Sequence, residues 1–416
     1  MPTAAQVIDL DARQLPAAIK DLPVRGGIAR GLGRSYGDPA QNSGGHVLRL
    51  APSNEQVVID DTAGTVTAGG GVHLDDLLAV LIPRGWFVPV TPGTRFVTIG
   101  GAIASDIHGK NHHRDGSFGQ HVTHLRLMLA DTTVVDLRPD EAPGNDHELF
   151  WATVGGMGLT GMILEATFRL IPIETSRMAV ETHRIGHVDE IMSRMVESDA
   201  DFRYSVAWID LLAGGKHLGR GVLTNGEHAT RDELDASSAT DPLAYDGRQL
   251  VAVPPVMPPP GVINRLSVAA FNELWYRKAR RGRHTGIESI PGYFHPLDLV
   301  GSWNRVYGRS GFLQYQFVVP FGAEDVLRTV IERISAAQLP IFLTVLKRFG
   351  PGNRGPLSFP IGGWTLAIDV GTDRAGLAPL LRSLDDLVLD AGGRHDLAKD
   401  FHMTPTDVRR GYPRLA

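Results

Sequence analysis

A glycine-rich segment near the N-terminus has residues suited to holding a phosphorylated ligand. It reads Arg30-Gly-Leu-Gly-Arg-Ser-Tyr-Gly-Asp38 and follows a short apolar stretch. Its glycines leave backbone N–H groups open to a pyrophosphate, and Arg34 and Ser35 add further donors. The glycine spacing differs from the Gly-x-Gly-x-x-Gly dinucleotide fingerprint, and no Gly-Lys-Ser/Thr ending marks a P-loop. Taken alone, the segment is as typical of a turn between two strands as of a phosphate cradle.

Two further segments have the same glycine-rich character. Thr91–His113 carries small residues from Gly100 to Ala104, which let a backbone lie against a flat or extended ligand. Trp151–Gly161 adds another glycine-rich turn before an apolar run. Three such cradles in one part of the chain predict a long ligand of several parts. A dinucleotide cofactor fits that description better than a single phosphate does.

Three histidines in the second segment raise the question of a metal site. His108, His112 and His113 lie close together in the sequence, and imidazole nitrogens are common ligands of transition metals. The His-Glu-x-x-His spacing of a helical zinc site is absent, however, so we predict no metal centre. We expect His112 and His113 to be surface histidines.

The composition limits the classes of function that remain. The chain has 416 residues, which suits two packed domains or one domain with a large insertion. Its net charge of −5 gives no basic excess for a nucleic-acid surface, and it has no cysteine for disulfides, Cys-ligated metals or thiol nucleophiles. No secretory signal begins the chain, and no apolar stretch is long enough to span a membrane. We therefore expect a cytoplasmic protein, or one peripheral at the cell membrane.

The elements that must position these segments are short and of mixed type. The N-terminal part alternates β-like runs with glycine turns rather than forming regular βαβ units. Its predicted strands and helices are, in order, Val7–Asp9, Gly27–Ala29, His46–Leu50, Gln56–Asp60 and Thr65–Ala68 as strands, Leu74–Leu81 as a helix, the hairpin His121–Leu129 with Thr133–Leu137, the helix Glu148–Val154 and the strand Thr160–Leu170.

After Pro172 the composition shifts towards longer aromatic and β-branched runs. Two antiparallel β–α–β passes there predict an open sheet with helices on one face. The predicted strands are Arg203–Leu211, Gly311–Pro320, Ile341–Leu346 and Trp364–Asp369, and the predicted helices are Ala323–Ala337 and Leu377–Asp390. Asp241–Gly261 is proline-rich and without periodicity, so we interpret it as a mobile loop over a site or as a disordered segment.

The order of the three glycine-rich segments resembles the FAD-binding domain of the vanillyl-alcohol oxidase / p-cresol methylhydroxylase (PCMH) superfamily. Within it, the chain is similar to the flavoprotein oxidase subunits of decaprenylphosphoryl-β-D-ribose 2′-epimerases of actinobacteria. The similarity runs from about Gly27 to Pro413 and includes the unusual run Asp-Ile-His-Gly-Lys-Asn-His-His that ends at His113. The resemblance implies an α+β fold of PCMH type, with an FAD-binding domain at 1–173 and 394–416. A substrate-binding domain with an antiparallel sheet flanked by helices would then occupy 174–393.

The resemblance also implies which residues hold the cofactor. In related sugar-lactone and alditol oxidases a histidine of the first loop binds the flavin covalently, and Arg34 stands at that place here, so the FAD is expected to be non-covalent. The implied cofactor-binding residues are Ala29, Arg30, Gly31, Leu32, Gly33, Arg34, Ser35, Tyr36, Gly37, Asp38, Pro39, Gly93, Thr98, Ile99, Gly100, Gly101, Ser105, Asp106, Ile107, His108, Ile163 and Asp396.

The substrate site is expected where the second domain covers the flavin. The implied catalytic residues are Lys399, Tyr36 and His108, and the implied substrate-binding residues are Gln314, Gln316, Lys347, Trp208 and Thr365. Gln314 and Gln316 alternate along a β-like run, so both side chains point to the same face. Lys399 would act as a base or hold a developing alkoxide, Lys347 and Tyr36 would orient the sugar, and His108 would position the flavin.

The activity implied by the resemblance is oxidation of the 2′-hydroxyl of decaprenylphosphoryl-β-D-ribose to a ketone. This is the first half of an epimerisation that supplies the arabinose donor for cell-wall arabinan. An NAD(P)H-dependent reductase subunit would complete it, and the lipid substrate allows peripheral membrane contact near Pro254–Gly261 and Ile263. No nucleic-acid partner is expected.

Some positions depart from the family pattern and keep two alternatives open. The family's usual cysteine, the target of covalent nitroaromatic inhibitors, is replaced by Ala367, and its usual asparagine by Thr365. A C-terminal tyrosine is replaced by Asp396, Ser105 stands for a cysteine, and relatives continue beyond Ala416. One alternative is an alditol or aldonolactone oxidase that uses O₂. The other is a diverged, non-catalytic flavin- or sugar-lipid-binding protein.

Overall fold

The N-terminal part of the chain contains two larger sheets and one pair of short strands, joined by short helices and glycine turns. The computed structural model describes residues 4–52, 57–140, 144–254, 262–400 and 403–415. The strands of this part are β1 Gln6–Leu10, β2 Gly27–Ala29, β3 His46–Leu50, β4 Val57–Asp60, β5 Thr65–Gly69, β6 Trp86–Phe87, β7 Val122–Met128, β8 Val134–Leu137, β9 Met162–Arg169 and β10 Ile171–Pro172. Its helices are α1 Leu15–Lys20, α2 Leu74–Leu81, α3 Ile99–Ala104, α4 His112–Asp115 and α5 Asn145–Thr153.

The two sheets differ in strand direction. The small sheet has the order β1-β3-β2 and is parallel, and the larger has the order β4-β5-β9-β7-β8 and is antiparallel. Helix α2 covers the larger sheet because its leucines recur on one face, and all four of them are completely buried. Asp75 and Asp76 lie in its first turn, where acidic side chains favour a helix start. The predicted bounds of α2 and the predicted hairpin of β7 and β8 are confirmed.

The C-terminal part is dominated by one antiparallel sheet of eight strands. Its order is β15-β11-β13-β12-β18-β19-β17-β20. The remaining strands of the chain are β11 Arg177–Ile185, β12 Tyr204–Ile209, β13 Gly221–His228, β14 Val251–Ala252, β15 Arg283–Ser289, β16 Val300–Gly301, β17 Phe312–Pro320, β18 Thr344–Phe349, β19 Gly363–Gly371 and β20 Arg394–His395. The helices are α6 Val188–Ser198, α7 Arg265–Lys278, α8 Ile290–Phe294, α9 Glu324–Ala336, α10 Leu377–Asp390 and α11 Pro405–Gly411.

This sheet has an apolar face and a polar face. Helices α6, α9 and α10 share one core with alternate residues of four strands, among them Ala207, Tyr315, Leu346 and Leu366. Because successive side chains of a strand point to opposite faces, the residues between these lie on the other side. The sequence therefore predicted correctly an open sheet with helices packed on one face.

The predicted strand Ile341–Leu346 was wrong at both ends. Strand β18 begins at Thr344 and continues to Phe349, so Lys347 lies inside the strand rather than after it. Ile341 is fully buried although it precedes the strand, because it packs into the helix-covered core from an irregular segment. Burial alone therefore explains the apolar character that suggested an earlier strand. Strands β11, β13 and β15 were missed.

The segment predicted to be a mobile loop is partly described. Ser176 donates to the carbonyl oxygens of Pro242 and Ala244, Arg95 donates to that of Gly247, and β14 pairs with β16. Residues 255–261 lie outside the described residues, so the mobility of the whole loop stays a prediction. The proposed domain bounds also stay a proposal, and the first residues after 393 form β20 at the edge of the large sheet. Among the described helices, none has the length and apolar character required to cross a bilayer.

Candidate active site

The polar face of the large sheet brings together the predicted substrate-binding side chains. In the strand register, Lys347 pairs with Thr365, and Gln314 and Gln316 pair with Asp369 and Ala367. These residues alternate with core residues, so their side chains share the face opposite the helices. Gln316 is 3% exposed, which excludes a solvent-facing strand edge. The predicted common orientation of Gln314 and Gln316 is confirmed.

His108 comes from the glycine-rich part of the chain and meets this polar face. Its Nε2 lies 3.2 Å from the side-chain amide nitrogen of Gln316, and its Nδ1 lies 3.1 Å from Nζ of Lys347. Asp396 places a carboxylate oxygen 3.8 Å from the same Nε2. Burial, together with the nearby charge of Lys347, lowers the pKa of His108 to about 4. The imidazole is therefore neutral at pH 7.

A neutral imidazole has a single accepting nitrogen, so the His108 ring can accept from Lys347 at Nδ1 or from the Gln316 amide at Nε2, but not from both. The carboxylate of Asp396, 3.8 Å from Nε2, favours a proton there. This leaves Nδ1 to accept from Lys347 and makes the Gln316 amide a neighbour of the ring rather than a donor to it. Burial opposes ionisation of Asp396, but the hydrogen bond from His108 and the charge of Lys399 outweigh it and hold the Asp396 pKa below its usual value. Asp396, His108 and Lys347 thus contact one another in a row, and these contacts orient the His108 ring.

Lys347 has an amine that changes protonation near neutral pH. Burial is the main cause, and the positive charges of Lys399 and Lys110 add to it, so that the pKa of Lys347 falls to about 7. The charge of Asp396 opposes this shift only in part. A buried amine with such a pKa suits general-base chemistry, because the neutral form that can take up a proton is well populated at pH 7.

Asp369 belongs to the same face, and the sequence reasoning missed it. It accepts a 2.6 Å hydrogen bond from the side chain of Gln314. Among the described residues, its second oxygen, Oδ2, has no hydrogen-bond partner. Burial raises the pKa of Asp369 to about 7, against the opposing effects of Gln314 and Lys399. Alternation along β19 from Thr365 could have identified this residue as a member of the face.

A segment close to the C-terminus connects the polar face with the first glycine-rich loop. The backbone N–H of Tyr36 donates to the carbonyl oxygen of Ala398 at 2.8 Å. Nζ of Lys399 lies 4.9 Å from the centre of the Tyr36 ring, and the Gln314 backbone N–H donates to Asp400 at 2.9 Å. Burial and the charges of Asp369 and Asp400 raise the Tyr36 pKa far above its usual range. Lys399, Tyr36 and the polar face are therefore neighbours.

The glycine-rich segments form close-packed walls that fit a dinucleotide such as FAD. A Cβ added at Gly31 would collide with the side chain of Thr98, and one at Gly70 would collide with the backbone carbonyl of Ile163. Gly33 and Gly37 both have φ of +64°, a left-handed conformation that favours glycine. A cleft of about 340 Å³ lies along the first loop and is lined by residues that include Arg30, Gly33, Ser35 and Gly37. These residues fit a pyrophosphate-containing group.

The predicted cofactor residues do not all present side chains to this region. The side chains of Ile99 and Ile163 are buried in the core of the N-terminal part. The carboxylate of Asp106 is occupied by protein partners, since it accepts from Ser358 at 2.5 Å, Asn353 at 2.6 Å and the Gly119 N–H at 2.9 Å. Ile99, Ile163 and Asp106 can therefore contact a cofactor only through their backbone, or hold in place the residues that do.

The side chains of two predicted substrate-binding residues form hydrogen bonds within the protein. The indole N–H of Trp208 donates to the carbonyl oxygen of Phe342 at 2.8 Å. The hydroxyl of Thr365 donates to the carbonyl oxygen of Phe317 at 2.8 Å and lies 3.1 Å from the amide nitrogen of Gln316. Thr365 therefore orients Gln316, which in turn contacts His108.

The expectation that His112 and His113 are surface histidines was wrong. His112 is 1% exposed, and its ring packs 4.5 Å from that of Phe349. The side chain of His113 is 2% exposed and its Nε2 lies 3.1 Å from the carbonyl oxygen of Phe202. The reason is that α4 packs against β18, so both rings lie between the glycine-rich part and the large sheet.

Comparisons with known proteins bear on this arrangement. A family model described as an FAD binding domain matches residues 14–138. The decaprenylphosphoryl-β-D-ribose oxidase of Mycolicibacterium smegmatis is 43% identical over 100% of this chain and 90% of its own length. An uncharacterised protein of Streptomyces coelicolor is 37% identical over 83% of this chain and 93% of its own. An alditol oxidase of a Streptomyces species is 28% identical over only 35% of this chain and 34% of its own.

Proposed function

The chain belongs to the decaprenylphosphoryl-β-D-ribose oxidase family, and on this premise we propose that it oxidises the 2′-hydroxyl of decaprenylphosphoryl-β-D-ribose to the 2′-keto compound. It is an FAD-dependent oxidoreductase with an α+β fold. The proposed reaction is the first half of an epimerisation that yields the arabinose donor for cell-wall arabinan. The substrate class follows from the full-length similarity, whereas the likeness to an alditol oxidase covers about a third of the chain.

One observation within the chain carries this proposal. His108 extends from a glycine-rich, FAD-binding segment and contacts Gln316 and Lys347 on the polar sheet face. A redox cofactor held by the glycine-rich segments would therefore adjoin a buried, polar surface able to bind a sugar. Bound FAD supplies the hydride acceptor that oxidation of a secondary alcohol needs. The residues proposed to hold it are the implied set given above, by their backbone where their side chains are already engaged.

Removal of the hydroxyl proton is the step for which these side chains are suited. We assign it to the neutral amine of Lys347, whose pKa of about 7 matches that task. His108 is then a positioning residue, because its Nδ1 accepts from Lys347 and fixes the direction of the amine. Lys399 holds the developing alkoxide by its charge, beside Tyr36. Gln314, Trp208 and Tyr36 orient the sugar.

The proposal extends to partners and location. A 2′-keto sugar must be reduced from the other face to complete an epimerisation, so an NAD(P)H-dependent reductase subunit is the expected partner. The lipid-linked substrate named in the family implies work at or near a membrane surface. We therefore place the protein in the cytoplasm or peripherally at the cell membrane.

The decisive experiment is anaerobic mixing of the purified holoenzyme with a short-chain polyprenylphosphoryl ribose. We expect the flavin absorbance to bleach, and xylitol and an aldonolactone to leave it unchanged. Bleaching by xylitol, with peroxide formed in air, would instead favour the alditol oxidase reading. A colourless protein that takes up no FAD would favour a non-catalytic one.

Variants measured in the same bleaching assay test whether Lys399 takes part in the reaction. Lys399→Ala should lower the rate of flavin bleaching by at least about a hundredfold, because a charge that stabilises the alkoxide is lost. The exposed Lys216→Ala is the matched control and should bleach at the wild-type rate. Full activity of Lys399→Ala would remove Lys399 from the reaction.

A further inference from the structure

Helix α7 has the reverse of the usual distribution of polar and apolar side chains. A surface helix normally buries its apolar side and exposes its polar side. On the protein side of α7, Asn272 donates to Asp210 at 2.7 Å and Glu273 accepts from Arg220 at 2.7 Å. Arg220 also lies 4.6 Å from the centre of the Tyr276 ring. The contacts that hold this helix are therefore partly polar, and Val268 is its one buried apolar side chain among the described residues.

The outward side of α7 is apolar. Leu266 is 83% exposed and Leu274 71%, and Phe271 and Trp275 are also exposed. Phe271 and Trp275 are four residues apart, and their rings stack with centres 6.0 Å apart. We call Leu266, Phe271, Leu274 and Trp275 the α7 patch. Clustered exposure of large apolar side chains marks an interaction surface, whereas single exposed ones do not.

Basic residues surround the α7 patch, although the whole chain is acidic. Residues 265–283 contain six arginines and lysines and one acidic residue, in a chain of net charge −5. Arg280 and Arg281 are exposed at the end of the helix, and Nζ of Lys278 lies 5.0 Å from the Trp275 ring centre. Aromatic and aliphatic side chains beside basic ones match the interface of a membrane that carries anionic lipids.

A row of aromatic rings leads from the α7 patch to the candidate active site. Phe271 lies 5.6 Å from Phe342, which lies 5.8 Å from Tyr307. Tyr307 stacks on Phe312 at 4.5 Å, and Phe312 lies 5.7 Å from Tyr36. Tyr36 is the neighbour of Lys399. Phe312 and Phe342 are partly exposed, whereas Tyr307 is 3% exposed and packs behind them. An apolar chain attached to a sugar in the site would pack along the exposed parts of these rings.

We propose that the α7 patch docks on an anionic lipid bilayer and that the aromatic row receives the apolar chain of the membrane-held substrate. The role of the aromatic row rests on the proposed function, whereas the docking of the α7 patch does not. The patch supplies the apolar contact, the neighbouring Arg280 and Arg281 supply the electrostatic attraction, and the partly exposed rings of the row supply apolar contacts for the lipid chain.

The test of docking is sedimentation of the holoenzyme with vesicles of phosphatidylcholine, with or without phosphatidylglycerol. We expect binding to vesicles that contain phosphatidylglycerol, and weakening of that binding by salt. The double variant Leu274→Glu, Trp275→Glu should weaken it at least about tenfold. Arg280→Glu with Arg281→Glu should remove the preference for phosphatidylglycerol while the apolar patch stays intact. Val196→Glu, at an exposed apolar position on α6, is the control and should bind like the wild type.

The outcomes separate this proposal from the proposed function. The double variant should still be bleached at the wild-type rate by a soluble short-chain substrate, but should oxidise a long-chain substrate in vesicles at least about tenfold more slowly. Equal binding of wild type and double variant to vesicles would overturn the docking. So would a wild-type dimer that Leu274→Glu converts to a monomer without vesicle binding, since the patch would then be an interface between two copies. Failure of every sugar lipid to bleach the flavin would refute the proposed function alone.

Discussion

At the scale of single residues, His108 is where the two parts of the site meet. It contacts Gln316 from β17 and Lys347 from β18, and Asp396 approaches the same ring. None of these residues is near another in sequence; Gln316 and Asp396 are buried, and His108 and Lys347 are mostly covered. The arrangement couples a neutral imidazole to an amine with a pKa of about 7. Protonation of Lys347 therefore changes with pH near 7, as does that of Asp369 on the same face.

We expect the rate of flavin bleaching by the sugar substrate to rise with pH through about 7. The sign follows because only the neutral amine accepts a proton, and the pKa of Lys347 is lowered to about 7. Lys347→Arg should lower the rate and remove this rise, since an arginine stays protonated. Stopped-flow bleaching between pH 6 and 9 measures it.

A control is needed to distinguish the effect of Lys347 on the pH dependence from that of Asp369, because the pKa of Asp369 is also about 7. Asp369→Asn should keep the rise with pH, because the titrating amine is still present. A normal pH rise in Lys347→Arg would show that another group accepts the proton.

At the scale of elements, the site depends on hydrogen bonds that hold its loops in place beside the strands. Asp106 has φ of +42°, a strained value for a residue other than glycine, and its carboxylate holds the segment after β18 through Asn353 and Ser358. His108 follows only two residues later. Asp106 thus fixes the loop that presents the imidazole to the sheet.

Asp106→Ala should destabilise the protein by about 3 kcal/mol, because buried donors of Asn353, Ser358 and Gly119 lose their acceptor. Urea denaturation of the purified protein measures the change. Asp136→Ala is the control, since Asp136 pairs with His124 at the surface, and it should change stability by less than about 1 kcal/mol. Equal stability of Asp106→Ala and the wild type would contradict this role.

Strand β19 carries an alanine, Ala367, where the family pattern has a cysteine. Ala367 lies on the polar face between Thr365 and Asp369, opposite Gln316. We expect nitroaromatic inhibitors that attack the family's cysteine to leave no covalent adduct on the reduced wild-type enzyme. Ala367→Cys should gain the adduct, because it restores a thiol at the same point of the sheet. Mass spectrometry of the intact protein decides, and an adduct on the wild type would be contrary to expectation.

The elements also show what a single sequence can and cannot predict. Period-two alternation predicted that Gln314 and Gln316 share a face. The amphipathic pattern of α2, with acidic residues in its first turn and Pro83 just beyond it, predicted that helix with its observed bounds. The pairing of Gln314 with Asp369 depends on the register between β17 and β19, which are far apart in sequence. Strands β11 and β15 mix charged, polar and apolar residues without a regular alternation, so they were missed. The burial of His112 needed the packing of α4 on β18.

At the scale of the whole molecule, Lys110 joins the glycine-rich part to the large sheet. Its carbonyl oxygen accepts from the Ser205 N–H at 2.9 Å, and its amine donates to the carbonyl oxygen of Tyr293. The amine also lies 4.1 Å from the centre of the Tyr293 ring. Burial lowers the pKa of Lys110 to about 7. A buried amine at this junction makes its stability sensitive to pH.

We expect the free energy of unfolding of the wild type to rise from pH 7 towards 10 relative to that of Lys110→Met. The pKa of Lys110 in the folded protein lies below its ordinary value of 10.5, so the unfolded chain binds more protons in this window. The difference between the two slopes should be about 1.4 kcal/mol per pH unit. Urea denaturation at pH 7.5 and 9 measures it, with the exposed Lys216→Met as control. Equal slopes for wild type and Lys110→Met would contradict the shift.

The hydrogen bond between Tyr36 and Ala398 has a consequence for how the enzyme is made. A ribosome translates the first glycine-rich loop early and the segment around Ala398 near the end of this sequence. The nascent chain therefore lacks the side of the site that Lys399 and Asp396 supply until that segment has been translated. A ribosome-bound chain that ends before Asp396 carries the first loop without this partner, so the complete site can form only after both segments have left the ribosome.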